Sequence, residues 1–144
     1  KYEEIEDFVY MDDVTAFVRV KMIEEIGSYD NDFFYDFEET EWNYRIIKSG
    51  WRIVYCPKMK VWHRLHGSTG GTKFSPIPEF YHTRGHFLFY YKAKSDFSFI
   101  IFTLKYMLFG LIVRFVILAK NNRTKLIYFN FLGMLSALRR IVSK

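Results

Sequence analysis

Acidic side chains all but stop after residue 41. Residues 1–41 hold 14 acidic and 3 basic side chains, whereas residues 42–144 hold 2 acidic and 18 basic. The net charge of +5 therefore combines an acidic head of −11 with a basic remainder of +16. Cysteine is nearly absent: the single Cys56 excludes an internal disulfide. In the apolar run Ile53-Val54-Tyr55-Cys56 it reads as a buried, inert thiol of a reducing compartment. Internal repeats and low-complexity segments are also missing, which excludes repeat architectures and disordered linkers. No charged-then-apolar leader opens the chain, whose first residue is Lys, and a piece of a longer protein is expected.

What is present is apolar and aromatic. A composition 50% hydrophobic and 21% aromatic rules out wholesale disorder. The 144 residues make one domain's length, enough for a real core. A basic tail favours anionic lipid or nucleic acid. Here the cations interleave with long apolar stretches, so a membrane surface of anionic lipid is the expected partner and nucleic acid is not.

Along the chain, Asp7–Tyr10 and Val14–Val20 read as short strands. Met22–Ile26 reads as a short helix that Gly27 ends, before a polar turn over Ser28–Asp32. Glu39–Ser49 reads as a helix. Its early glutamates suit the positive end of the macrodipole, Glu41 and Arg45 stand four apart in the favourable order, and Gly50 follows as a C-cap. Trp51–Cys56 alternates as a strand stopped by Pro57, and Lys60–Arg64 reads as another. Leu65–Pro78 is a long loop of the functional kind, and Glu79–Lys94 an aromatic helix.

From Phe97 to Ala119 the sequence is mostly apolar, broken only by Lys105 and Arg114. A spanning helix wants about 20 apolar residues, and each central cation costs about 2.5–3.5 kcal/mol on insertion scales. Helices lying in the membrane interface, with cations reaching headgroups, are expected over a simple span. Packing on a partner is the other reading, here and for the closing stretch TKLIYFNFLGMLSALRRIVSK.

The stretch FFYDFEETEWNYRIIKSGW, residues 33–51, crowds Glu38, Glu39 and Glu41 against aromatics at a helix start. The strand that follows leads to Pro57, and the next ends at His63, shortly before Gly67-Ser68. Strand ends and loops that meet at one edge of an α/β sheet are where ligands bind. A carboxylate there can take a proton from an attacking hydroxyl. A neutral imidazole can join a divalent metal or steady a phosphate, and glycine beside serine lets backbone approach a phosphate. The bland alternatives are a solvated acidic helix start and a hydrogen-bonding structural histidine. Zinc held by Cys56, His63 and His66 lacks the spacing of a zinc motif.

Taken in order, Gly27-Ser28-Tyr29-Asp30-Asn31-Asp32-Phe33-Phe34, Glu38-Glu39-Thr40-Glu41, Arg45, Gly50, Tyr55, Pro57, His63 and Gly67-Ser68 resemble the second half of family 2 glycosyltransferases. The rhamnosyltransferase-like branch is closest, with its G-x-F-D-E-x-F-F, E-D-x-D-L-x-x-R, G-x-x-I-x-Y-x-P, V-x-H and G-S. The match covers about residues 10–92. The resemblance implies an α/β class and a partial GT-A fold, an acceptor half with short strands and helices over residues 1–94. A mostly α-helical amphipathic tail follows over residues 95–144, for a membrane surface or a partner.

It further implies inverting transfer of a sugar from a nucleotide-sugar donor to a glycan or lipid-linked acceptor, as in polysaccharide biosynthesis. The implied location is cytoplasmic, peripheral at the inner face of the cell membrane. The second acid of the pair, Glu39, is implied as the catalytic base, with Glu38, Glu41 and Trp42 at the acceptor and Arg45 as structural support. His63 is implied in a metal–diphosphate site, and Ser68 and Arg84 as contacts to the donor diphosphate. Mg²⁺ or Mn²⁺ is implied only together with a nucleotide-binding half whose Asp-x-Asp motif belongs upstream. Without that half these residues are expected to be inactive, and oligomeric state stays open. Departures from the pattern are Glu39 for the usual Asp, Asp13 where Gly is usual, and Gly85 where Asn is usual. The alternative is a non-catalytic, membrane-associated interaction module or pseudoenzyme half.

Overall fold

The computed structural model describes residues 6–8, 10–11, 14–63, 75–94 and 96–143. The chain falls into two compact units, residues 1–31 with 38–71, and residues 32–37 with 72–144.

In the first unit, β1 (Glu6–Phe8), α1 (Val20–Ile26), α2 (Glu38–Lys48) and β2 (Ile53–Tyr55) follow in chain order. β1 and β2 pair antiparallel, Phe8 opposite Ile53 and Asp7 opposite Val54. Arg52 Nε donates to Asp7 Oδ1 at 2.8 Å across this ribbon. Met22, Trp42, Ile46 and Ile53 form the core. Trp42 and Ile46 stand one turn apart on α2, so one face of that helix carries both inward. α1 and α2 end at Gly27 and Gly50, whose φ angles of 78° and 80° are left-handed and suit glycine.

Two expected strands are not present. Val14–Arg19 is irregular and α1 opens at Val20, while Lys60–His63 is irregular as well. Alternating β-branched residues make a strand only where a neighbouring backbone accepts their ladder, and among the described residues the pairing is confined to β1 and β2. Residues 64–74, with Ser68 and His66 among them, and residues 12–13 lie outside the described residues. Among those described, the α/β expectation comes down to one two-stranded sheet beside a predominance of helix.

The second unit is helical. α3 (Pro76–Ala93) is followed by a continuous helix, Asp96–Lys120, built of α4 (Asp96–Lys105), a π turn (Tyr106–Gly110) and α5 (Leu111–Lys120). A 3₁₀ turn (Thr124–Leu126) then leads into α6 (Ile127–Val142). α3 starts inside the stretch expected as loop because Pro76 and Pro78 fall in its first turn, where a missing N–H costs nothing. Phe33, Phe87, Leu88, Phe99, Met134 and Ala137 form the core. α3 runs antiparallel to the long helix, with Tyr91 against Phe99 and Phe87 against Phe102 at centroid distances of 5.3 and 5.0 Å. α6 meets α3 at Gly133, where a Cβ would lie 2.3 Å from the Phe80 carbonyl oxygen. The boundary expected after residue 94 therefore does not coincide with the units: the aromatic helix shares its core with the tail.

Segment 32–37 lies along α3. Phe34 packs edge-on against Tyr81 at 5.0 Å, and Phe37 stacks on His86 at 5.4 Å. Gly85 makes this approach possible, since a Cβ there would lie 2.9 Å from both the Asp36 carbonyl oxygen and Phe37 Cβ.

Candidate functional site

The three glutamates occupy the first turn of α2 and have different surroundings. Glu41 is buried, and both its oxygens accept from Arg45 Nε, at 2.8 and 3.0 Å. Arg45 in turn donates to the carbonyl oxygens of Ile26 and of Ser28, the latter at 2.6 Å, tying α2 to the end of α1. Trp42 is 3% exposed, donates Nε1–H to the Gly27 carbonyl at 2.9 Å and packs on Tyr29 at 4.7 Å. These contacts engage Glu41 and Trp42 in the fold itself and leave no open face for the acceptor role expected of them. Glu38 is half-buried. Glu39 Oε1 accepts from the Tyr10 hydroxyl at 2.8 Å, at an exposed position.

Tyr10 also lines a cavity of about 590 Å³ whose walls include Phe8, Met11, Phe17, Trp51 and Tyr55, with Arg19 and Arg52 among its polar residues. Sequence reasoning did not find this cavity. Its wall comes partly from Val14–Arg19, which was expected to be tied up in a strand. His63 is exposed. Among the described residues no group of three or more His, Cys, Asp or Glu side chains converges in a way that would hold a metal ion.

Arg84 belongs to the second unit. Its Nη1 donates to the Asp32 carbonyl and its Nε to Ser136 Oγ at 3.2 Å. The guanidinium expected at a donor diphosphate thus holds segment 32–37 and α6 together.

Three further polar clusters in this unit escaped the sequence. Asp32 is buried and takes Arg140 Nε at 2.6 Å and Lys92 Nζ at 3.3 Å. Glu79, 1% exposed, takes Arg114 and also Asn130 Nδ2 at 2.6 Å, while Thr83 Oγ1 donates to Asn130 Oδ1 at 3.2 Å. Asp36 Oδ2 lies 2.7 Å from His82 Nδ1. That hydrogen bond, more than the burial that opposes it, raises the His82 pKa, whereas burial beside His82 lowers that of His86. Each cluster joins residues about 40 or more positions apart or on different helices, so no spacing in the sequence announces it.

No family model, no curated protein and no solved structure matches this chain.

The long helix is the other candidate surface. Asp96–Lys120 has 25 residues and a mean hydropathy of 2.1 in its most apolar window, long and apolar enough to cross a membrane by length and composition. Phe97, Leu108 and Phe109 on it are 73%, 61% and 66% exposed.

Proposed function

We propose that this chain is the acceptor half of an inverting family 2 glycosyltransferase of the rhamnosyltransferase-like kind. The parent enzyme, donor half included, moves a sugar from a nucleotide-sugar to a glycan or lipid-linked acceptor in the cytoplasm, peripheral at the inner face of the membrane. The ordered motifs from Gly27 to Gly67-Ser68 carry the reading. One observation supports it in the fold: Glu41 is neutralised by Arg45, while Glu39 is bonded to a neutral phenol on the wall of an aromatic-lined cavity.

In this reading the Glu39 carboxylate accepts the proton of an acceptor hydroxyl. The hydroxyl oxygen forms a bond to the anomeric carbon from the face opposite the diphosphate. The bond from that carbon to the diphosphate oxygen breaks, the diphosphate leaves with the electron pair, and the configuration inverts. Phe8, Trp51 and Tyr55 offer flat apolar surfaces to a sugar ring. The described residues do not fit a resident divalent-metal site. Mg²⁺ or Mn²⁺ would draw its ligands from further polypeptide, as would the nucleotide.

The interaction-module alternative has its own observation: Glu41, Trp42 and Arg84, three of the residues the resemblance assigns to ligands, are engaged in internal contacts. The two readings separate in one assay. The native polypeptide bearing these residues is offered labelled nucleotide-sugars, a divalent cation and a lipid extract. Cation-dependent transfer into a lipid-extractable or glycan product is expected. A polypeptide that binds membranes and transfers sugar from no donor is the interaction module.

A further inference from the structure

We infer that the second unit docks in the plane of an anionic bilayer, with the outer face of Asp96–Lys120 sunk into one leaflet. The inference deepens the peripheral-membrane part of the proposed function and rests on it; it does not depend on the transferase chemistry.

The helix has two faces. Phe99 and Leu118 are buried, Phe102 and Tyr106 pack on Phe87 of α3, and Arg114 is bonded to Glu79 of α3. The opposite side exposes Phe97, Ile100, Leu104, Leu108, Ile112 and Phe115. Single exposed apolar side chains are ordinary, but a contiguous stripe along a helix of about 37 Å is an interaction surface.

Charge selects the occupant. After Asp96 the sequence has no acidic residue and eight basic ones. Lys120, Arg123 and Lys125 follow the end of the stripe and the exposed Lys94 stands just before its start, whereas Lys92 and Arg140 are paired with the buried Asp32. An apolar stripe flanked by cations, with Asp96 at the helix start as its one exposed acid, is complementary to a hydrocarbon layer beneath anionic headgroups. The inward turn of Arg114 onto Glu79 removes a central cation from the lipid side. Lys105 is exposed, with a stem long enough to bring its ammonium to the headgroups.

The packing of α3 decides the orientation. Because α3 lies along the long helix, a perpendicular span would carry segment 32–37 to bilayer depth with it. That segment is irregular, with φ of 79° at Tyr35 and 71° at Phe37, and Phe34 and Tyr35 are exposed. Irregular backbone facing lipid has no water to satisfy its peptide groups and does not occur in the hydrocarbon layer. His82 and Asp36, also solvent-accessible, would go with it. In the in-plane orientation α3, α6 and segment 32–37 all remain behind the stripe, on the water side.

The test uses the full chain with Cys56→Ser and one new cysteine at a time: Phe97→Cys, Leu104→Cys, Leu108→Cys and Phe115→Cys, each carrying an environment-sensitive fluorophore. Vesicles are phosphatidylcholine alone or mixed with phosphatidylglycerol, with nitroxide quenchers at shallow or deep positions on the acyl chains. In-plane docking gives a blue shift at all four sites on the anionic vesicles, with equal quenching by the shallow nitroxide. Leu104→Glu with Leu108→Glu, both at exposed positions and so compatible with folding, lowers vesicle binding about tenfold or more. Deep quenching at Leu108 with shallow quenching at Phe97 is the pattern of a span; it overturns the in-plane mode and leaves membrane association standing. Absence of binding to either vesicle overturns docking and membrane association together and turns the stripe over to a protein partner. Sugar transfer, assayed separately, is unaffected by either result.

Discussion

Arg114 Nε donates to Glu79 Oε2 at 2.9 Å, and its Nη2 donates to the other oxygen of the same carboxylate. This bidentate pair binds α3 to the long helix and turns inward a cation that would otherwise face solvent or lipid. Removing one partner strands the other. Arg114→Met is expected to cost about 3 kcal/mol, the low end for breaking a buried pair, because 30% of the Arg114 side chain stays in solvent. Glu79→Leu combined with Arg114→Met recovers only part of that loss, because the buried Asn130 Nδ2 then loses its 2.6 Å acceptor. Urea unfolding of the three proteins checks this, and equal stability of Arg114→Met and wild type contradicts it.

The contact of α3 with α6 leaves no room for a methyl group at Gly133. In Gly133→Ala the new Cβ meets a backbone carbonyl at 2.3 Å, so the helices must separate rather than a side chain yield. The loss is expected to exceed the ~1–3 kcal/mol typical of overpacking. Gly85→Ala acts on segment 32–37, with approaches of 2.9 Å to Asp36 and Phe37. It is expected to lift Phe37 off His86, which the ring-current shift of the His86 protons reports by NMR. An unchanged shift contradicts the account of that segment.

Two histidines one turn apart are expected to titrate apart. The hydrogen bond that His82 donates to the Asp36 carboxylate raises His82 above its ordinary 6.5, while burial, and then the charge of His82, lower His86 below it. The His82–Asp36 contact therefore adds stability that is complete below about pH 6.5 and is lost as the pH rises through the raised value. His86 acts in the opposite direction: charging it is unfavourable in the fold, so stability falls as the pH drops from about 6.5 through its lowered value. An NMR titration in which His82 titrates below about 6.5 or His86 above it contradicts the corresponding assignment, and His82→Gln is expected to remove the alkaline-side loss.

Much of this was legible locally. α2 could be read to within a residue or so from its acidic start, its Glu41–Arg45 spacing and Gly50, because capping, dipole and i,i+4 pairing all lie within one helix. Val14–Val20 could not be read, since its alternation is strand-like and whether a strand forms depends on a partner elsewhere in the chain. Pro76 and Pro78 suggested a loop when seen singly, and only the helix that follows shows them to be its first turn. Arg114 counted against membrane insertion because its carboxylate partner lies 35 residues earlier in the sequence. Asp32 stood within a motif, but its partners at Lys92 and Arg140 are set by tertiary packing.

Glu39 carries the central claim, and its amide tests it most directly. Glu39→Gln keeps the shape of the side chain and can still accept a hydrogen bond from Tyr10, but it cannot take a proton. In the native polypeptide, sugar transfer by Glu39→Gln is expected to fall by about 10²–10⁴-fold, with membrane binding and thermal stability unchanged. Transfer at the wild-type rate would contradict Glu39 as the base.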